Sequence, residues 1–196
     1  NQSDVSGRLE WKKTRHRIRA GGELEYGTID GTVSSNQWSF DTSYDTMDPN
    51  PFYYGARTSL KSDVLAELNL RWTFGPHMGY HFIDTQRTKL FAETGVEFAS
   101  EDYAMHINKH FMAQSWKIEA NHFIIPDRLQ VYHRDNGLVG VDGNGGLSLE
   151  TWNGIKVPIA WGLHTSAEIR TSYNGDAPIE ATRWDIQYRI KLGYQW

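Results

Sequence analysis

The feature of this sequence that most constrains its fold is a strict alternation of side-chain types at its end. One set of alternate positions comprises Trp184, Ile186, Tyr188, Ile190, Leu192, Tyr194 and Trp196, and the other Asp185, Gln187, Arg189, Lys191, Gly193 and Gln195. Successive side chains of a β-strand point to opposite faces, so this period of two predicts a strand. Strands of soluble sandwiches usually run ~5–6 residues. About thirteen residues, tilted by ~40°, would cross a ~25 Å apolar band.

The same alternation recurs along the chain and predicts further strands. Long alternating segments occupy residues 37–44, 68–82, 90–98 and 161–171, and shorter ones residues 5–12, 18–26, 52–61, 129–132 and 147–151. Residues 105–120 keep no single phase, which we interpret as a strand with a β-bulge. Pro76 removes a hydrogen-bond donor within its strand, so we expect a bulge or an irregular rim there.

Short and long connections alternate between these segments. Tight connections are predicted at residues 14–15, 48–51, 84–87, 126–127 and 153–154, and longer polar ones at residues 28–36, 61–67, 100–104, 136–146 and 173–183. Outer-membrane barrels have short turns at one end and longer loops at the other. The sequence therefore predicts an all-β fold, an antiparallel up-and-down transmembrane β-barrel, as one domain over residues 1–196. We count about eleven strands, and an even number would require a twelfth strand N-terminal to Asn1.

Composition excludes several other classes of protein. The net charge of −4 is too small, and of the wrong sign, for nucleic-acid binding through basic patches. The absence of cysteine excludes a disulfide scaffold, a cysteine zinc site and a cysteine nucleophile. The mean hydropathy is −0.60, and no apolar run approaches the ~18 residues of a transmembrane helix. These values do not exclude a β-barrel, because the mean hydropathy of its alternating segments is polar.

The polar face of the predicted strands carries charges of both signs. The positions assigned to the lumen are Arg8, Glu10, Lys12, Arg17, Arg19, Glu23, Glu25, Asp41, Arg57, Lys61, Arg71, Glu93, Glu97, Glu150, Glu168, Arg170, Asp185, Arg189 and Lys191. Acids and bases on neighbouring strands can pair with one another. A wide selective pore would favour one sign, so the mixture predicts a lumen filled by ion pairs.

Three segments of the sequence resemble a known family. They are residues 79–90, which read GYHFIDTQRTKL, residues 93–103 with Glu-Thr-Gly-Val and Ser-Glu-Asp-Tyr, and residues 172–196 with SYNGDAP, Trp-Asp and LGYQW. Together they are similar to the salt-induced outer membrane protein (YdiY-like) family. Residues 1–4 resemble the end of an early turn that a strand precedes in that family. The resemblance implies an outer-membrane β-barrel and no established activity, and it provides no catalytic residue to carry over.

One set of residues resembles a catalytic site. His164, Ser166 and Glu168 share a face, and His-x-Ser with a nearby acid is similar to the hydrolytic site of lipid A deacylase barrels. Side chains at i and i+2 on a strand lie ~6–7 Å apart, however, and polar residues alternate along every barrel strand. We therefore expect that the protein is not an enzyme.

Metal-binding patterns are equally weak. His77 and His81 are four residues apart, as are His106 and His110, a spacing of ~13 Å on a strand. Residues 142–146, Asp-Gly-Asn-Gly-Gly, are not followed by an acidic ligand at the spacing that an EF-hand requires, so a flexible surface loop is expected. We expect no metal site, cofactor or catalytic residue.

These observations predict an integral protein of the bacterial outer membrane with a structural or interaction role, as a subunit or scaffold of an envelope assembly. Its expected partners are outer-membrane lipids and another envelope protein, with no nucleic acid. The alternative is a narrow channel or small-solute transporter, and a weaker alternative is a lipid-modifying enzyme.

Overall fold

The structure, a computed structural model, describes residues 2–29, 31–47, 51–104, 108–176 and 183–194. These residues form eleven strands: β1 (Gln2–Lys13), β2 (His16–Ile29), β3 (Thr32–Met47), β4 (Phe52–Asp63), β5 (Leu68–Asp84), β6 (Thr88–Tyr103), β7 (Lys109–Ile125), β8 (Leu129–Gly140), β9 (Leu147–Ala160), β10 (Leu163–Asn174) and β11 (Trp184–Tyr194). They form one antiparallel sheet whose strand order follows the chain. The predicted all-β, up-and-down fold class and the number of strands are confirmed. Among the described residues, no helix has the length and apolarity that crossing a membrane requires.

The alternation of the sequence becomes an alternation of burial. In β5, Arg71, Thr73 and His77 are buried, whereas Trp72 and Phe74 between them are exposed. The sheet therefore has a buried face, which carries the polar residues of this strand, and an exposed face, which carries the aromatic ones. The alternation of burial continues through Pro76 without a change of phase, so β5 has no irregularity of burial at that residue. The bulge predicted within residues 105–120 stays a prediction.

Most of the predicted connections occur where expected. The turns at residues 14–15, 85–87 and 126–128 are present, and residues 64–67 and 141–146 connect strands at the opposite end. The predicted turn at residues 48–51 lies largely outside the described residues, as does most of the connection at residues 173–183. The strands themselves extend further into the predicted loops, since β8 continues to Gly140 and β10 to Asn174.

The predicted turn at Asn153 and Gly154 is wrong. β9 passes straight through both residues, and the chain turns instead at Trp161 and Gly162, which have φ angles of 51° and 84°. Trp161 is therefore not the first residue of the next strand. Gly154 is needed within the strand because a Cβ there would approach Cζ of Tyr132 to 2.4 Å. The glycine marks a packing contact on the buried face, not a turn.

Two predicted polar loops are also wrong, for a common reason. Residues 28–36 belong mostly to β2 and β3, because the side chains of Ser35 and Gln37 donate hydrogen bonds to Glu25 across the two strands. Residues 100–103 belong to β6, because Glu101 and Tyr103 are buried side by side. Polar side chains in these segments line the buried face of strands. Because polar composition is also typical of loops, composition alone predicts loops here.

Contacts between residues divide the chain into two compact units. The first comprises Asn1–Met78, Gly95–Gln114 and Gly140–Gly145, and the second Gly79–Thr94, Ser115–Val139 and Gly146–Trp196. The prediction of one domain over residues 1–196 stays a prediction. The sites below lie within one unit or the other.

Candidate functional site

The buried positions of this protein are mostly polar. Among the described residues, seventeen polar or charged side chains are buried, against eight apolar ones. The exposed positions include many large apolar side chains, such as Ile190 at 88 % and Leu192 at 73 % exposure. A water-soluble domain has the opposite distribution, because burying an unpaired charge is costly. The candidate functional site is therefore the charged buried face, and its chemistry depends on how those charges are paired.

In the first unit, Asp45 of β3 is the centre of a cationic cluster. Its carboxylate is fully buried and accepts hydrogen bonds from Nε of Arg17 at 2.7 Å and Nε2 of His77 at 2.7 Å. Nη2 of Arg19 lies 3.2 Å from the same carboxylate. The guanidinium carbon of Arg17 also lies 4.5 Å from the centre of the buried Tyr53 ring. One carboxylate thus interacts with two guanidinium groups and an imidazole.

Two further ion pairs of the first unit link β4 and β5 to β6. Arg57 contacts Oε1 of Glu97 at 2.6 Å, and Nε of Arg71 donates to Oε1 of Glu101 at 2.6 Å. The hydroxyl of Tyr103 donates to the other oxygen of Glu101 at 2.8 Å. Each of these glutamates is almost completely buried. Their partners satisfy the charge within the sheet, which removes the main cost of burying it.

In the second unit, Glu168 of β10 has a comparable environment. Its Oε2 accepts a hydrogen bond from the Tyr132 hydroxyl at 2.8 Å, and Nζ of Lys191 lies 3.3 Å from its Oε1. On the same strand, Arg170 contacts Glu150 of β9 at 3.1 Å. The strand register explains these contacts, since Glu168 is opposite Gly154 and a tyrosine ring can cross over a residue without a side chain.

The predicted lumen positions differ in how deeply they are buried. The buried ones are Arg17, Glu25, Arg71, Glu93, Glu97, Glu168, Arg170 and Arg189, and the half-buried ones are Arg19, Glu23, Arg57, Lys61, Glu150 and Lys191. The exposed ones are Arg8, Glu10, Lys12, Asp41 and Asp185. Four of these lie on β1 and β11, which are first and last in the strand order and have fewer neighbours to cover them. Asp41 lies between Gly21 and Ser59, which are too small to cover it.

Sequence reasoning missed two of the best-buried acids. Asp45 keeps the phase of Asp41 and Ser43, but it lies just beyond the alternating segment 37–44. Glu101 keeps the phase of Glu97, but it lies in a predicted loop after the segment 90–98. In both cases, an alternating segment longer by one to three residues includes the charge.

The structure does not bring His164, Ser166 and Glu168 together as a catalytic triad. The imidazole of His164 extends over Gly193 of β11, where a Cβ would lie 2.4 Å from Nε2. Ser166 lies within hydrogen-bonding reach of Tyr132, and Glu168 contacts Tyr132 and Lys191. His164 therefore contacts β11, whereas Ser166 and Glu168 share a neighbour on β8. The expectation that the protein is not an enzyme stays a prediction.

The histidines of the predicted metal patterns also have separate contacts. His77 binds Asp45, whereas the rings of His81 and His110 contact Phe91 and Phe98 respectively. His106 lies outside the described residues. Among the residues that the structure describes, Asp4, Glu23 and Glu25 form a group of potential ligands whose carboxylate oxygens lie within 4.8 Å of one another. Glu25 already accepts hydrogen bonds from Ser35 and Gln37.

Asp142, in the segment that resembles a calcium loop, uses its carboxylate within the chain. Oδ2 accepts a hydrogen bond from the backbone N–H of Met112 at 3.0 Å, and Oδ1 accepts one from the backbone N–H of Asn144 at 3.1 Å. These hydrogen bonds lower the pKa of the exposed Asp142 carboxyl, with the bond from Met112 as the largest cause. The carboxylate thus ties the 141–146 connection to β7.

The second unit also contains an open cleft of about 670 Å³ beside the turns at residues 85–87 and 126–128. Its lining residues are Asp84, Thr85, Gln86, Arg87, Lys89, Asn121, Phe123, Asp127, Gln130 and Lys156. Three cations and two carboxylates give this cleft a small positive excess. Its volume lies within the range of small-molecule sites.

A family model described as "Protein of unknown function, DUF481" matches residues 1–196. The chain belongs to the DUF481 family. This family is the YdiY-like outer-membrane family whose segments the sequence resembles, so that identification is confirmed. A search of curated proteins found no match. Membership of the DUF481 family agrees with the all-β meander and assigns no activity to any residue.

Proposed function

We propose that this DUF481 chain is an integral β-barrel of the bacterial outer membrane with a structural or interaction role. The observation that carries the proposal is the inverted burial, with charges on the buried face and large apolar side chains on the exposed face. An apolar exposed face is favourable only in contact with an apolar medium. In lipid, a closed barrel satisfies every backbone N–H and C=O group, and strands in meander order are suited to closure.

The interior of this barrel is filled by paired charges. Asp45, Glu97, Glu101 and Glu168 each have a cationic partner within 3.3 Å. Ion pairs of mixed sign give no consistent attraction for one kind of ion, in contrast to the single-sign rings of selective pores. The working surfaces are therefore the outer wall and the loops, with outer-membrane lipids and another protein of the envelope as partners.

The test uses the purified protein and the membranes of cells that produce it. We expect the protein in the outer-membrane fraction, a β-rich circular dichroism spectrum in detergent, and no stable single-channel steps in planar bilayers. A protein that is soluble and monomeric without detergent would contradict the membrane assignment. Large and stable ion-selective steps would contradict the filled interior.

A narrow channel or small-solute transporter is the second candidate, and the cleft beside residues 85–87 favours it. Its excess of positive charge would attract anionic solutes at that end of the strands. We expect such a channel to prefer anions and Lys89→Glu to lower that preference. A wild-type protein without conductance would exclude this candidate.

A further inference from the structure

The exposed face of β8, β9 and β10 contains a group of polar residues that the buried charge network does not explain. We define the wall patch as His133, Asp135, Thr151, Asn153 and Thr171. The strand register places Asp135 opposite Thr151, and Thr151 opposite Thr171, so these three side chains lie in one row. His133 is opposite Asn153 in the neighbouring row of the same face. All five residues belong to the second unit.

Asp135 is the charged residue of the wall patch. Its Oδ1 accepts a hydrogen bond from Nε1 of Trp116 at 2.8 Å, and its Oδ2 accepts one from the Thr151 hydroxyl at 3.0 Å. The indole of Trp116 covers Gly137, where a Cβ would clash with the ring. Both partners of the carboxylate are neutral, and in the described part of the chain no lysine or arginine forms an ion pair with it. Its charge differs in this respect from the paired acids of the buried face.

The other two contacts of the wall patch leave hydrogen-bonding groups available. Nδ1 of His133 donates to Oδ1 of Asn153 at 2.8 Å. Because an amide oxygen only accepts, Nε2 of His133 is then an acceptor in the neutral ring. The amide nitrogen of Asn153 retains its donors, and Asn153 itself is exposed. The patch therefore presents donors and acceptors side by side.

The surroundings of the wall patch are apolar. The same face carries exposed Ile155, Ile169, Ile186 and Ile190 on β9, β10 and β11. Asp135 lies near the middle of β8, not at either end of the strand. A polar or ionisable group within a lipid-facing band is costly and is expected to have a partner. A wall that contacted only lipid would carry an apolar residue at this position.

We propose that a second copy of this chain covers the wall patch, so that two barrels meet through β8, β9 and β10 in the outer membrane. This inference rests on the proposed membrane function. A two-fold interface places the same surface against itself, and each contact from one copy to the other occurs twice. The surface must therefore be complementary to itself.

The chemistry of the wall patch meets this requirement. The Asn153 amide of one copy can donate to the Asp135 carboxylate of the other, and the reverse contact follows from the symmetry. The hydroxyls of Thr151 and Thr171 supply further donors and acceptors along the same row. Side chains of this modest size allow two walls to approach closely. Lipid chains offer no hydrogen bond to this row, whereas a two-fold axis along the membrane normal brings the donors and acceptors of a second copy to the same depth.

Single-cysteine cross-linking tests the proposal, because the chain has no cysteine of its own. Thr171→Cys introduces a thiol in the wall patch and keeps Asp135 and Asn153, and Ile18→Cys introduces one on the exposed face of β2 as the matched control. Each purified protein is reconstituted into phosphatidylcholine vesicles, oxidised and separated by denaturing electrophoresis. We expect a disulfide-linked dimer from Thr171→Cys and a monomer from Ile18→Cys.

The same cysteines distinguish the failure of this inference from the failure of the membrane assignment. A fluorophore on each cysteine is exposed to brominated lipids, which quench it where lipid is in contact. We expect strong quenching at position 18 and weak quenching at position 171. Quenching at both positions without a cross-link would overturn the dimer and leave the barrel function intact. An absence of quenching at position 18 would overturn the membrane assignment and the dimer with it.

A conservative substitution tests the role of the Asp135 charge. Asp135→Asn keeps the shape but replaces charge-assisted hydrogen bonds by weaker neutral ones, so we expect the association constant in vesicles to fall by about tenfold. Asp185→Asn removes the same charge from an exposed position on β11 and should leave association unchanged. Equal association constants for the wild type and Asp135→Asn would contradict the reciprocal contact.

Discussion

The charged rows of β1 and β2 follow the same alternating pattern but have different environments. On β1, Arg8, Glu10 and Lys12 are exposed, although the alternation predicts that they face the lumen. On β2, Arg17 is 5 % exposed and contacts an acid of β3. β2 pairs with a strand on each side, whereas β1 is first in the strand order. Alternation therefore determines the face of a side chain, and the neighbouring strands determine its burial.

This difference predicts a difference in energy. A charge buried among partners is strongly coupled to them, and losing one partner leaves the others unpaired where water cannot replace it. An exposed charge is solvated in any case, and its pairing contributes little. The largest effects should come from the buried cluster around Asp45, and the smallest from exposed groups.

The largest effect is expected for Asp45→Ala. The substitution leaves Arg17 and Arg19 without their shared carboxylate, and we expect the free energy of unfolding in detergent to fall by about 3–5 kcal/mol. Denaturant titration followed by tryptophan fluorescence measures this change. Glu10→Ala on β1 is the control and should change the free energy by less than about 0.5 kcal/mol. Similar losses in the free energy of unfolding for the two variants would show that burial does not distinguish the two charged rows.

The second expected effect concerns the exposed face. Ile190 is 88 % exposed, so Ile190→Arg would be harmless in a water-soluble protein. On a lipid-facing wall it should cost about 2–4 kcal/mol near the middle of the bilayer. Trp184→Arg, at the end of the same strand, should cost less because the penalty falls toward the interface. Unfolding titrations in lipid vesicles measure both, and a larger loss at Trp184 would contradict the orientation of β11.

The third effect tests a neutral partner of a buried charge. Tyr132→Phe removes the hydroxyl that donates to Glu168, leaving a buried carboxylate oxygen without that hydrogen bond. We expect a loss of about 1–3 kcal/mol in the free energy of unfolding. Tyr188→Phe on β11 is matched in chemistry but 77 % exposed, and should be nearly neutral. If both variants were neutral, the tyrosine contact to Glu168 would contribute no stability.

The alternation predicts most of the strands, and in β5 it predicts the faces from Leu70 onward. Trp72 and Phe74 lie on the exposed face, and Arg71 and Thr73 on the buried one, as the period of two requires. The tight turns predicted at residues 14–15 and 126–127 are confirmed, and the second extends to residue 128. These features depend on local geometry alone, which one sequence contains.

The errors arise where contacts between strands determine the outcome. Asn153 and Gly154 have the composition of a turn, yet they lie inside β9, because the ring of Tyr132 occupies the space above the glycine. The pairing of Asp45 with His77 joins residues 32 positions apart in the chain. No local pattern specifies such a pair. The wall patch depends on the same kind of contact, since its rows follow from the register of β8, β9 and β10.

The smallest effect is expected at Asp142, an exposed acid that acts through two backbone hydrogen bonds. Hydrogen bonds from the N–H groups of Met112 and Asn144 hold the folded-state pKa below its ordinary value of 3.8. Because the folded-state pKa is lowered, the ionised carboxylate stabilises the connection at pH values above its ordinary pKa. This stabilisation is lost as the pH falls through the lowered folded-state pKa. We therefore expect the Met112 amide to exchange faster with solvent in acid than the intrinsic rate explains. Asp142→Asn, which has no titrating carboxyl, is the reference for NMR exchange measurements. A wild-type protection factor that stays constant through this acidic range would contradict the role of the carboxylate in holding the 141–146 connection.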